Sequence, residues 1–238
     1  MQSINLVRFK KDLRIADHKP LWEACQSGLL VVLYVREPSV MSYRDYSHFH
    51  QYRIQESLKD LKSQLATLNI PLVMIHAEMQ ALDMIQQYYH IHTIYAHEET
   101  GNALTYTRDL SVIKYCIQSS IQFIECPSNG VIRRLVSRDL RSNMQRQRMS
   151  QPLILVPAAQ APFDLNPDLV AAAKASFTSF IPASKPSTRI YPRDAPGEQA
   201  AHRRLQYFLT HAPYRYALSR PTQSVMDSSR LSYLTYGN

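Results

Sequence analysis

The sequence predicts an α/β fold, a doubly wound five-stranded parallel sheet of Rossmann-like type, followed by a long connector and a further helical segment. Three observations carry this expectation. Short apolar runs rich in β-branched residues alternate with longer segments of helical period through roughly the first 125 residues. One run, residues 29–35, is apolar at every position, as a strand buried on both faces of a parallel sheet is. A third run, residues 91–96, empties into His97-Glu98-Glu99-Thr100-Gly101-Asn102, the polar carboxyl end at which open α/β sheets bind ligands.

Taken in order, residues 4–9 form a short strand that ends in the basic loop Lys10-Lys11-Asp12-Leu13-Arg14. Asp17 is placed to cap a helix containing Pro20, Leu21, Trp22 and Ala24, with Pro20 suited to a first turn and Gly28 to the end. After the 29–35 strand comes the clearest helix, beginning near Ser47. Its Ile54, Leu58, Leu61, Leu65 and Leu68 recur at alternating spacings of four and three. Residues 71–75 read as a strand, and 79–89 as a helix with Leu82, Ile85 and Tyr89 on one side. The 91–96 strand leads to a helix over 104–118 with Leu110, Ile113 and Ile117 facing inward, and 121–124 closes the sheet. Parallel strands joined by such helices require right-handed crossovers.

Beyond the sheet the character changes. Arg133, Arg134, Arg138, Arg141, Arg146 and Arg148 fall within sixteen residues, as a solvated helix face or a phosphate-binding one. Residues 151–196 are rich in proline, alanine and serine and read as an inter-domain connector whose prolines interrupt long regular elements. Residues 197–209 are helical again, with Ala200, Ala201, Leu205, Phe208 and Leu209 available for packing. The expected organisation is an α/β domain over 1–135, a basic segment and connector over 136–196, and the beginning of a helical domain over 197–238. Some forty residues are too few for a second core of ordinary size, so more sequence is expected after Asn238.

Composition narrows the function classes. The chain has 238 residues, is 45% hydrophobic and 19% charged, and carries a formal charge of +8, which suits a polyanionic partner. Cys25, Cys116 and Cys126 have neither metal nor redox spacing, and no apolar run reaches the length of a membrane span. A cytoplasmic protein is expected, monomeric and independent of membranes. No Gly-x-Ser-x-Gly elbow, Gly-x-Gly-x-x-Gly turn or Walker loop occurs, and five glycines leave little material for a glycine-built phosphate cradle. His90 and His92 share a strand face while His97 has the opposite parity, which speaks against a metal site there. Glu98 and Glu99 either hold a ligand through ring nitrogens or a ribose, or pair with a nearby arginine. Arg108 and Asp109 suit structural ion pairs. Ser228-Ser229-Arg230-Leu231-Ser232 offers three hydroxyls and a guanidinium, as a phosphate grip or a capping turn.

Read together, these stretches resemble the photolyase/cryptochrome family. Leu6-Val7-Arg8-Phe9-Lys10-Lys11-Asp12-Leu13-Arg14 followed by Asp17-His18-Lys19-Pro20-Leu21 is similar to the family's opening strand and loop, with Arg8 where a tryptophan is usual. His97–Asn102 with Tyr106, Arg108 and Asp109 resembles a bacterial branch, and Asn129-Gly130-Val131-Ile132-Arg133-Arg134-Leu135, Ser137-Arg138-Asp139 and Arg148-Met149 continue the pattern. The resemblance implies an antenna domain, a connector and the first helices of an incomplete all-α domain that holds FAD. It implies light-dependent repair in which excited reduced FAD passes an electron to a cyclobutane pyrimidine dimer flipped out of DNA, or blue-light signalling of the cryptochrome kind. Ser228, Ser229, Arg230, Leu231 and Ser232 match the loop that holds the FAD phosphates, with Ser228 in place of threonine. Tyr214 and Tyr216 both fit a flavin-contacting tyrosine, and Arg220 a DNA-contacting arginine. After Ser232 this chain passes directly to Tyr233 where relatives often have proline. Glu98 or Glu99 and the basic first loop, Lys10 to Arg14, are candidate contacts for an antenna chromophore of folate or flavin type. The catalytic residues are expected beyond Asn238, so that this chain alone would not repair DNA. The rival from a different class is a standalone chromophore- or nucleotide-binding α/β module without catalysis.

Overall fold

The computed structural model describes residues 1–44, 46–77, 79–133, 135, 137–178 and 196–211. Tyr214, Tyr216, Arg220 and Ser228 to Ser232 lie outside the described residues. Two compact units divide the chain. The first comprises Met1–Lys10, Ile15–Tyr43 and Leu65–Ile181; the second comprises Lys11–Arg14, Arg44–Gln64 and Pro182–Asn238.

The first unit is built on five parallel strands, β1 (Gln2–Phe9), β2 (Leu30–Arg36), β3 (Leu72–His76), β4 (Tyr89–His97) and β5 (Gln122–Cys126), in the order β3-β2-β1-β4-β5. The order reverses between β1 and β4, so the carboxyl ends of those two strands flank the crevice where such sheets receive ligands. The centre of the sheet is apolar on both faces: Ile4, Leu6, Val31, Leu33, Ile75, Ile91 and Ile94 are buried on one, and Val7, Phe9 and Val32 on the other.

Among the described residues the helices are α1 (Lys19–Cys25), α2 (Pro38–Met41), α3 (His48–Thr67), α4 (Gln80–Gln86), α5 (Ala103–Gln118), α6 (Arg141–Met149), α7 (Pro167–Thr178) and α8 (Glu198–His211), with a 3₁₀ turn at Arg138–Leu140. Ile54, Leu58, Leu61, Leu65 and Leu68 are buried, as the periodicity of α3 requires.

Several expectations are corrected. His18, not Asp17, caps α1: its Nδ1 accepts the Leu21 N–H at 3.1 Å, leaving Asp17 for another use. Tyr89 is the first residue of β4 rather than the last of a helix, although it is buried as expected. The inward face of α5 is Thr105, Asp109, Val112 and Cys116, at spacings of four, three and four. Leu110 and Ile117, expected inside, are 43% and 75% exposed. A rotation that buried them would carry Asp109 away from the buried cations it serves, so charge rather than hydrophobicity sets the phase of this helix.

The connector also contains a helix. Prolines permit α7 because Pro167 stands at its first position, where a missing N–H is no loss. Asn166 Oδ1 accepts the N–H groups of Asp168 and Leu169. Leu169 and Ala173 join the core, and Ser176 Oγ donates to the His76 carbonyl while accepting its N–H. The helix thus occupies the neighbourhood of edge strand β3 and shields part of an edge that would otherwise be open to pairing.

In the second unit, α8 keeps Ala201 buried and Ala200, Leu205 and Phe208 half-buried, whereas Leu209 is 61% exposed. Gly197 precedes this helix with φ of +112°, a conformation L side chains rarely adopt.

Candidate functional site at the strand ends

The site grows out of one residue that the apolar pattern of β1 does not accommodate. Arg8 lies between Val7 and Phe9 and is 4% exposed. A guanidinium there must be paired, since a lone buried charge is costly. Its Nη1 donates to Asp109 Oδ1 at 2.7 Å and its Nη2 to Glu37 Oε1 at 2.8 Å. Strand β1 presents the cation, the turn after β2 supplies Glu37, and the inward face of α5 supplies Asp109.

Arg108 completes the arrangement from the same helix. Its Nη1 donates to the other Glu37 oxygen at 2.8 Å, and its Nη2 to Glu99 Oε2 at 2.7 Å and Asp109 Oδ1 at 3.0 Å. Lys10 Nζ donates to Asp109 Oδ2 at 2.6 Å and to the His97 carbonyl at 2.8 Å, and lies 3.5 Å from Glu99 Oε2. Three cations therefore face three carboxylates, with Glu37 shared between Arg8 and Arg108. Glu99 Oε1 additionally accepts the Gly101 N–H at 2.8 Å, which folds the loop back onto the carboxylate.

The electrostatics follow from this packing. Burial alone would raise the Asp109 pKa, but Arg8, then Lys10 and Arg108, outweigh it and hold it at about 2. Glu99 is also lowered: burial and Asp109 push it up, and Lys10, Arg108 and the Gly101 amide more than offset them. Arg108 is shifted upward, because Glu37 and Asp109 outweigh its desolvation.

Glu98 belongs to a second cluster. Its Oε2 accepts from Arg148 Nη1 at 3.1 Å, and Arg133 Nη2 approaches its Oε1 at 3.6 Å while donating to Glu125 Oε2 at 2.7 Å. Arg148 Nη1 also donates to the Val131 carbonyl at 2.7 Å. Two arginines of the basic segment thus hold the loops after β4 and β5 together. Asn102 caps α5 through the Thr105 N–H, and Asn129 donates to the Thr100 hydroxyl. The structure brings Glu98 and Glu99 to the crevice, each engaged with arginine.

Glu37 carries no signal of its own in the sequence, Lys10 stands out there only as part of the basic first loop, and Arg8 only as a departure from a familiar pattern. The available signal was the charge itself: an arginine in an apolar strand buried on both faces demands acidic partners from neighbouring elements. Beside the network lies a cavity of about 220 Å³, with Arg8, Glu37 and Arg108 on its wall and helices α4 and α5 on its flanks.

The family model described as DNA photolyase matches residues 5–142. No curated protein sequence matches the chain. Among solved structures, a Synechocystis cryptochrome is 20% identical with a TM-score of 0.71, covering 97% of this chain and 51% of its own. A bacterial class III photolyase from Agrobacterium tumefaciens is 17% identical with a TM-score of 0.70, covering 99% of this chain and 51% of its own. An archaeal photolyase from Sulfolobus tokodaii, solved with two FAD molecules, is 17% identical with a TM-score of 0.69, over 99% and 52% respectively. At these identities the likeness is one of fold, and the chain spans about half the length of the structures it resembles.

Proposed function

The chain belongs to the DNA photolyase family, and we propose that it serves light-dependent repair of cyclobutane pyrimidine dimers as the antenna-bearing half of a flavoprotein. The observation that supports this most is the span of the family match, residues 5–142, which takes in part of every strand and Arg8, Lys10, Glu37, Glu99, Arg108 and Asp109. In this reading residues 1–135 form the antenna domain, 136–196 the connector and 197–238 the start of the FAD domain. Ser228, Ser229, Arg230, Leu231 and Ser232 hold the FAD phosphates, with Tyr214 or Tyr216 against the flavin and Arg220 toward DNA. Glu98 and Glu99 border the antenna chromophore. FAD, once bound, supplies the photoexcited electron; the residues of this chain bind and orient.

The solved structures that this chain resembles are about twice its length. We therefore propose that this chain binds FAD weakly and does not split dimers unaided. The test mixes the chain with FAD, dithionite and an oligonucleotide carrying one thymine dimer, and illuminates with blue light. The expected result is weak FAD binding that Arg230→Ala abolishes, a preference for damaged DNA that Arg220→Ala reduces, and no restored thymines. Restored thymines would overturn the dependence on a second half. Absence of both FAD binding and damage preference would overturn the repair reading; FAD binding without damage preference would favour a cryptochrome-type photoreceptor.

A further inference from the structure

We propose that the wedge between α4 and α5 binds one flat, uncharged heteroaromatic ring whose carbonyl oxygens or ring nitrogens accept hydrogen bonds, an oxopurine being a simple example. The two helices are pinned where Tyr115 brings its hydroxyl to 2.6 Å from Asp83 Oδ1 and 2.5 Å from Gln86 Oε1. Toward the carboxyl ends of the strands a space of about 220 Å³ remains between them. An engineered cavity of ~150 Å³ suffices for benzene, so this one has room for a bicyclic ring.

The lining defines the ligand. Leu33 and Val35 of the sheet, Met79 at the start of α4, Leu82 within it, and Leu104 and Val112 of α5 offer apolar surface for the faces of a ring. Arg8, Glu37 and Arg108 close one end with polar atoms. Arg8 gives one N–H to Asp109 and one to Glu37, and a guanidinium has further donors in its plane. Both Glu37 oxygens are already occupied by the two arginines. That end of the cavity thus combines guanidinium donors beyond those the carboxylates take with the hydroxyls of Ser39, Thr107 and Ser111, which donate or accept, a set suited to a neutral acceptor.

Charge excludes the obvious competitor. Arg8, Lys10 and Arg108 are balanced by Glu37, Glu99 and Asp109, and every one of these carboxylates touches a cation. No surplus positive charge remains to offset a buried phosphate, and a dianion would compete with Glu37 and Asp109 for the same donors. A purely apolar ring would leave the donors without an acceptor.

The proposal does not depend on light-driven chemistry, and its test runs in the dark on the whole chain. Hypoxanthine, indole and inorganic pyrophosphate are titrated separately by calorimetry, covering the neutral acceptor, the apolar and the anionic arm. Ser111→Trp and Thr107→Trp obstruct the rim from exposed positions on α5, where a large side chain has solvent to occupy. The expected result is saturable hypoxanthine binding, weakened about tenfold or more by either substitution at unchanged melting temperature, with indole and pyrophosphate at least about tenfold weaker. Failure of hypoxanthine to saturate at millimolar concentration overturns the proposal. So does binding that both rim variants leave unchanged, or pyrophosphate or indole binding as tightly as hypoxanthine.

Discussion

Arg8 and Asp109, 101 residues apart in the chain, meet at 2.7 Å with less than a twentieth of either side chain exposed. The pair joins the second half of β1 to the inward face of α5 across the point where the strand order reverses. It also draws in Lys10 and Arg108, so that one carboxylate neutralises parts of three cations. Removing a single member of such a set leaves the others buried and unmatched.

Arg8→Met should therefore destabilise the fold by about 3–5 kcal/mol, read as a lower urea midpoint at unchanged slope. The added substitution Glu37→Gln should recover a large part of that loss, because Lys10 and Arg108 are then matched by Glu99 and Asp109. If the double variant is no more stable than the single one, the cost lies in lost packing of the arginine stem instead.

Acid should act through the same carboxylate. The Asp109 pKa falls from its ordinary 3.8 to about 2 on folding, because the cations outweigh burial. A depressed folded pKa gives stability that is fully present above the unfolded value and disappears as pH falls through the folded one. Unfolding free energy should thus be insensitive to Asp109 near neutrality and decline between about pH 4 and pH 2, with Glu99 adding to the decline in the same direction. Asp109→Asn should start less stable and lose less across that window. Equal slopes for the two proteins in parallel urea titrations would contradict this account.

How much of this was legible in the sequence depends on the range of the force involved. The strands and helix α3 were readable because their signals are local: continuous apolar runs, and leucines at alternating spacings of three and four. The phase of α5 was not. Leu110, Ile113 and Ile117 form as good an apolar stripe as Val112 and Cys116, and the choice was made by Asp109 finding Arg8, a contact no local window contains. Asp17 shows the same limit. Its carboxylate reads as a cap for α1, yet its N–H donates to the Ile154 carbonyl and its Oδ1 accepts the Ile154 N–H, both at 3.0 Å. The residue fastens the connector, and the adjacent histidine takes over the cap. The cavity was invisible for a related reason, being the space left between two helices rather than a pattern along either.

The three cysteines should be inert in the native state. Burial raises the thiols of Cys25 and Cys116 to about 11, and burial together with the Glu23 carboxylate raises Cys126 to about 12. Since the thiolate is the reactive species, a disulfide reagent at pH 8 should label none of them until denaturant is added, and then all three. Rapid native labelling of any one would place it in a more open environment than its burial implies.

The start of α8 depends on a residue of α3, and this gives a test by double substitution. A Cβ added to Gly197 would stand 2.6 Å from Asp60 Oδ2, while Gln199 N–H donates to that same oxygen at 3.4 Å. Asp60 thus acts as a carboxylate cap supplied from another helix, favourable to the unpaired N–H groups and the positive end of the helix dipole. Two separate penalties follow for Gly197→Ala: strain at φ of +112°, of order 1–3 kcal/mol, and the clash with the capping oxygen. Asp60→Ala removes the cap at a cost of about 1 kcal/mol but also removes the clash. Combined, the two substitutions should cost less than the sum of their separate effects, with the difference measuring the clash. Strict additivity, scored by hydrogen exchange of the first α8 amides, would mean that the Asp60 side chain yields freely and that only the backbone conformation at Gly197 matters.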